Sequence, residues 1–145
     1  GVVVAGELVD YADKMIELTL SVNLQAMILM TKYLLPNLKK SKGLVVNISS
    51  GAGLEGKKEF SVYCASKFGV IGFSKALAKD LKKVKVLSVT PGATNTALFK
   101  KAFKKGREAL YQPSDIASII GETIISHKKY KTGEIVDRCE HLERK

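Results

Sequence analysis

Two residues four apart, Tyr63 and Lys67, carry the first chemical signal in the chain. On a helix that spacing stacks their side chains on one face and sets an ammonium beside a phenol. A free phenol titrates near ~10 and is a poor proton donor or acceptor at neutral pH. A neighbouring positive charge favours the phenolate and draws that value toward the working range. The chemistry this suits is protonation of a carbonyl oxygen while hydride arrives at carbon. Taken alone, the pair is also compatible with two surface residues on an amphipathic helix.

Its company says more. Ser50 closes the run Val45-Val46-Asn47-Ile48-Ser49-Ser50, an apolar stretch that breaks into small polar residues and then Gly51-Ala52-Gly53. A hydroxyl there can donate to an oxygen as charge develops on it. Ser49 competes for that role. A second run, Val84 to Thr90, ends in Pro91-Gly92, with Thr94 and Thr96 following. Asn23 falls inside a helical pattern, where asparagine is a poor residue and needs a local reason.

Jointly, these residues resemble the short-chain dehydrogenase/reductase family and its Asn-Ser-Tyr-Lys tetrad. Ser21-Val22-Asn23-Leu24 is similar to the family's helix-borne V-N-L. Ser50 stands thirteen before Tyr63, a usual family spacing, and only that spacing selects it over Ser49. Pro91-Gly92-Ala93-Thr94-Asn95-Thr96 resembles the P-G-x-x-x-T cofactor segment, and Lys131 to Asp137 the family's final strand. The resemblance runs over almost the whole chain.

It implies an α/β fold, a Rossmann-like doubly wound parallel sheet, of which residues 1–145 would be a single, N-terminally incomplete domain: the C-terminal two-thirds. It implies an NAD(P)-dependent oxidoreductase acting on a small carbonyl or alcohol substrate. Tyr63 would be the acid in reduction and the base in oxidation. Lys67 would lower the Tyr63 pKa and bond the nicotinamide ribose. Ser50 would bond the substrate oxygen, and Asn23 would hold a water linking Lys67 to solvent. Cofactor contacts would come from Gly1, Tyr63, Lys67, Pro91, Gly92, the Thr94 backbone and the Thr96 side chain. The cofactor would be NAD or NADP, and no metal site is expected.

The departures matter too. The family's T-G-x-x-x-G-x-G turn, which aims a helix N-terminus at the pyrophosphate, is not in this sequence. Gly1 aligns with the last residue of the family's N-N-A-G motif. Asp137-Arg138-Cys139 stands where the family has a Gly-Gly pair. A second class of function is therefore carried forward: a non-catalytic remnant that dimerises or binds a partner.

The elements that must position these residues can be read from pattern. Asp10 or Asp13 caps a long helix to about Lys39, with Met15, Ile16, Leu18, Val22, Met27, Leu29, Met30 and Leu34 giving it more than one apolar face. One face should meet the sheet and another a partner subunit. Pro36 and Asn37 mark its fraying end. Leu44 to Ile48 reads as a central strand, and Gly51 to Lys58 as a Gly-rich connection. A helix follows from Ser61 to Leu81, with Phe68, Ile71, Leu77 and Leu81 inward and Gly69 and Gly72 admitting a close neighbour. Then come a strand from Lys85 to Val89, an irregular lid, a helix from Pro113 to about Ser126, and a strand from Glu134 to Val136. Leu54, Phe60 and Leu98 are candidate pocket residues.

The chain has 145 residues, 46% of them hydrophobic, which suits one soluble core. Two cysteines make no disulfide framework; Cys64 reads as a packing residue, and a reducing cytoplasm fits. No apolar stretch reads as a membrane span, so no membrane partner is expected. The net charge is +10, but the lysines are spread along the sequence, so no nucleic-acid partner is expected either. A thermophile's surface is an alternative source of so many lysines. One local cluster, Lys100, Lys101, Lys104, Lys105 and Arg107, is a candidate patch for a phosphate-bearing substrate or an acidic partner. His127 and His141 read as surface residues. A homodimer or homotetramer through the helices carrying Met27 and Phe68 is expected.

Overall fold

A computed structural model describes residues 1–103 and 108–137. Three parallel strands form the sheet in the order β1 (Leu44–Ile48), β2 (Lys85–Val89) and β3 (Ile135–Val136). The register pairs Leu44 with Lys85 and Ile48 with Val89. Helices connect the strands: α1 (Asp13–Leu20) and α2 (Ala26–Ser41) precede β1, α3 (Ser61–Asp80) joins β1 to β2, and the short α4 (Ala97–Ala102) and α5 (Pro113–Ile125) join β2 to β3. This is the expected Rossmann-like arrangement. Its buried centre is β2: Val86 and Leu87 are sealed from solvent, and Ala78, Leu81 and Val84 pack around Val86.

The long first helix differs from its expected form in three ways. Between α1 and α2 the backbone widens into a π turn over Ser21–Gln25, with Asn23 at its middle. Pro36 sits inside α2, which continues to Ser41 before Lys42 turns left-handed at φ 53 and ends it. And its inward stripe is not apolar. The buried residues are Thr19, Asn23 and Thr31. Both threonines satisfy their hydroxyls within the helix, on the carbonyls of Met15 and Met27. Small polar residues let the helix lie close to α3, and Leu18, Val22, Leu29, Met30 and Leu34 face outward. By length and composition, Asp13–Ser41 is apolar enough to cross a membrane, contrary to the reading above, though its narrow face packs on α3.

Along α3 the inward residues include Val62, Lys67, Val70, Ile71, Ser74 and Ala78. Phe68 is exposed rather than inward, because the buried stripe passes through 67, 70 and 71 and leaves 68 on the far side. Gly69 meets the expected close neighbour: a Cβ there would lie 2.7 Å from a Leu24 methyl. Gly72 does not, since nothing lies within 4 Å of its Cβ position. The structural placement of Lys104, Lys105, Arg107, Arg138, Cys139 and His141 lies outside the described residues.

Candidate active site

Where β1 ends, the chain turns through Ser49 and Ser50 into a short 3-10 turn over Gly51–Gly53. The two serines divide the work. Ser49 is buried and donates to the Lys67 backbone carbonyl at 2.9 Å. Ser50 is half-buried; its Oγ accepts from the Ala52 N–H at 3.2 Å, and its hydroxyl lies close enough to Tyr63 to offset part of the effect of burial on the phenol. The Ser49 hydroxyl is thus engaged with the α3 backbone, while that of Ser50 lies on the Tyr63 side of the turn.

Gly53 closes this turn against α3. A Cβ there would lie 2.5 Å from Ser49 Oγ and 2.7 Å from the Lys67 carbonyl oxygen. Only a hydrogen fits. The contact sets the height of α3 against β1 and so the distance from Ser50 to Tyr63.

Lys67 is 9% exposed, and its ammonium lies 5.8 Å from the centre of the Tyr63 ring. It donates to the Ile48 backbone carbonyl at 3.2 Å. Burial pushes the Tyr63 phenol above its ordinary value, and the Ser50 hydrogen bond pulls it back part of the way. Burial also lowers the Lys67 ammonium. Contrary to the expectation that Lys67 draws the phenol down, burial dominates at both groups, and the effect opposing it at Tyr63 comes from Ser50.

Asn23 is also placed differently from expectation. Its Oδ1 accepts the Val2 N–H at 2.8 Å, and its Nδ2 donates to the Val2 carbonyl at 2.7 Å and to Ser66 Oγ at 3.2 Å. The amide pairs with the backbone as a neighbouring strand would, and its two donors and its oxygen are already engaged. Its side chain fastens the N-terminal segment to α3 instead of reserving itself for water. Gly1 lies beside it, with a Cβ position 3.1 Å from Asn23 Oδ1.

Pro91 and Gly92 follow β2 at the same carboxyl edge, and the Gly51 N–H reaches the Pro91 carbonyl at 3.3 Å. The two strand exits are thus tied together where open α/β sheets bind ligands. Thr94 Oγ1 donates to the Gly92 carbonyl, and Thr96 Oγ1 caps α4 by accepting the Phe99 N–H. Both hydroxyls build their own loop. Just before Pro91, the buried Thr90 Oγ1 has no hydrogen-bond partner, and sequence reasoning missed it. Over Tyr63 lies an aromatic group also missed: Phe60 meets Tyr63 edge-on at 6.5 Å, Phe103 at 5.2 Å, and Phe99 meets Phe103 at 4.7 Å. Phe60 alone of these was a candidate pocket residue. Among the described residues no cluster of acidic, His or Cys side chains could hold a metal ion.

The sequence profile of the short chain dehydrogenase family matches residues 1–107. The chain belongs to the short chain dehydrogenase family. Among its relatives, Nodulation protein G of Rhizobium meliloti is 30% identical over 94% of this chain and 60% of its own length. The 3-oxoacyl-[acyl-carrier-protein] reductase of Thermotoga maritima is 31% identical over 81% of this chain and 52% of its own. Among solved structures, 4-hydroxyisoleucine dehydrogenase, in complex with NADH and succinate, superposes with a TM-score of 0.80 at 27% identity. That match covers 94% of this chain and 62% of the other. This short chain dehydrogenase chain therefore spans about half to three-fifths of the length of the relatives it matches.

Proposed function

We propose that the protein is an NAD(P)-dependent oxidoreductase that interconverts a small carbonyl compound and its alcohol. The observation that carries this reading is the meeting of Ser50, Tyr63 and Lys67 at the carboxyl end of β1. A nicotinamide dinucleotide would supply or accept the hydride. Lys67 fits its ribose end: an ammonium has three donors, and the Ile48 carbonyl takes one. Among the described residues no Gly-rich strand-to-helix turn offers a pyrophosphate site, so the residues in hand fit the nicotinamide end.

In reduction, the raised phenol of Tyr63 stays protonated at neutral pH and gives its proton to the carbonyl oxygen. Ser50, with its oxygen held by the Ala52 N–H, can turn its O–H from Tyr63 to that same oxygen as charge builds on it. In oxidation Tyr63 takes the alcohol proton, with Lys67 beside the ring stabilising the phenolate. Phe60 and the aromatic residues of the lid, with the half-exposed Leu54, favour an apolar substrate.

The outward face of the first helix, with Met30, Leu34 and the neighbouring Phe68 exposed, supports a homodimer or homotetramer. Cys64, buried and unpaired, fits a reducing compartment such as the cytoplasm. The test is oxidation of NADH or NADPH by the full chain with apolar ketones. Consumption of either cofactor that depends on substrate and on Tyr63 supports the reading; saturable binding of neither cofactor refutes it.

A further inference from the structure

The fold gathers positive charge that the sequence disperses. In a parallel sheet, all strands begin at one end, opposite the end that carries Ser50 and Pro91. Three segments lead into those beginnings. The first, at the end of α2, carries Lys39, Lys40 and Lys42. The second, at the end of α3, carries Lys79, Lys82 and Lys83. The third, after α5, carries Lys128, Lys129 and Lys131. All nine are exposed.

Hydrogen bonds show that the three segments meet. The Lys85 N–H donates to the Gly43 carbonyl at 3.1 Å. The Lys85 ammonium donates to the carbonyls of His127 and Tyr130 at 2.8 and 2.7 Å. The Val86 N–H donates to Thr132 Oγ1 at 3.1 Å. The groups therefore follow one another across the molecule in the strand order β1, β2, β3.

Helix dipoles favour cations in a helix's last turn, which accounts for Lys39, Lys40 and Lys79. It does not account for Lys82, Lys83 or Lys131, which lie outside the helices. The carboxylates in these segments are Asp80 and Glu134, and among the described residues the ion pair is Lys57 with Glu55. Among the described residues no ion pair neutralises the charge at this end.

We propose that this end of the sheet binds nucleic acid along its phosphate backbone, without reading sequence. A line of cations suits a linear polyanion, whose phosphates recur every few ångströms along a strand. The cations are all lysines, which meet phosphate as point charges and lack the arginine fork that reads base edges in pairs of bonds. A membrane surface would call for an apolar anchor among them. No large apolar residue of these three connecting segments is exposed among the described residues; Ile125 lies just before the third.

Fluorescence anisotropy of the full chain with a labelled mixed-sequence RNA of about twenty nucleotides tests this, since no turnover is needed. Binding should weaken by roughly a hundredfold between about 50 and 200 mM salt, as some five neutralised phosphates require. The pair Lys82→Glu and Lys128→Glu should lose about tenfold or more, and the same positions as Arg should keep binding. Reversal of two exposed lysines elsewhere, Lys14→Glu and Lys32→Glu, should cost less than about threefold. No binding at about 50 mM salt would overturn the proposal. So would an equal loss from both reversed pairs, or tighter capture by phosphatidylserine vesicles than by RNA.

Discussion

The Lys67 ammonium stands 5.8 Å from the Tyr63 ring centre while donating to the Ile48 carbonyl at 3.2 Å. It is thus anchored to the end of β1 and faces the phenol from a fixed position. The pair is prepared by burial, and burial moves both groups toward their neutral forms. Under the proposed function Tyr63 is in consequence an acid by default, and a base only under alkaline conditions or with strong local help.

Removing the phenol oxygen tests the central role. Tyr63→Phe should lower kcat by about a thousandfold, in the range that positioned acid–base groups contribute. Cofactor binding and the thermal midpoint should change little. Steady-state kinetics beside a melting curve checks this, and activity within a few-fold of wild type would end the assignment.

The pH profile should be lopsided. With its pKa raised, Tyr63 remains protonated through neutrality, so carbonyl reduction should be flat there and fall only above the ordinary phenol value near ~10. Alcohol oxidation should climb across the same alkaline range. Both directions can be followed by cofactor absorbance. An oxidation rate that levels off below neutrality would contradict the raised phenol.

Lys67→Met should abolish turnover yet leave the fold as stable or more so at pH 7. The lowered Lys67 pKa means that its contribution to stability is present above the ordinary lysine value and is lost as pH falls through the lowered one. Any advantage of the variant should therefore shrink as pH rises toward ~10. Urea unfolding at two pH values reads this; a large loss of stability at pH 7 would show that the bond to Ile48 dominates.

Asn23→Ala should cost about 2 to 3 kcal/mol, because it strands the Val2 N–H and carbonyl together with a Ser66 contact. Chemical denaturation gives the number. A cost near zero would mean that the first residues do not depend on the amide.

Gly53→Ala should destabilise by roughly 1 to 3 kcal/mol, since its methyl would meet the Lys67 carbonyl at 2.7 Å and α3 would have to move. Turnover should fall with it, as Tyr63 rides on that helix. A stable, fully active variant would mean that the turn yields instead.

The strands, the order of helices and the approach of Lys67 to Tyr63 were legible because each rests on local chemistry: an apolar run, a proline-glycine stop, a spacing of four. What escaped is what depends on the other side of a contact. Phe68 looked inward by its type, but Lys67 takes the buried position and leaves Phe68 outside. Asn23 looked like a water site, but Val2 reaches it from across the fold. Ser49 and Ser50 are alike in type and adjacent, and only the approach of Lys67 and Gly53 separates them. Phe99 and Phe103 gave no spacing signal toward Phe60, from which α3 and β2 part them in sequence.

The π turn at Ser21–Gln25 also bears on how this helix could change. Residues at intervals of four drift by about 40° per step around a regular helix, so Thr19, Asn23 and Thr31 would wander off one side. Under-winding recovers part of that drift. The turn acts as a phase corrector between two rotors. Loss of one residue within it would let a regular helix form with nearly the same faces beyond, since four regular residues turn through about the same angle as five under-wound ones. A single deletion there would thus be absorbed, whereas one in α1 or α2 would turn the faces beyond it by about 100°.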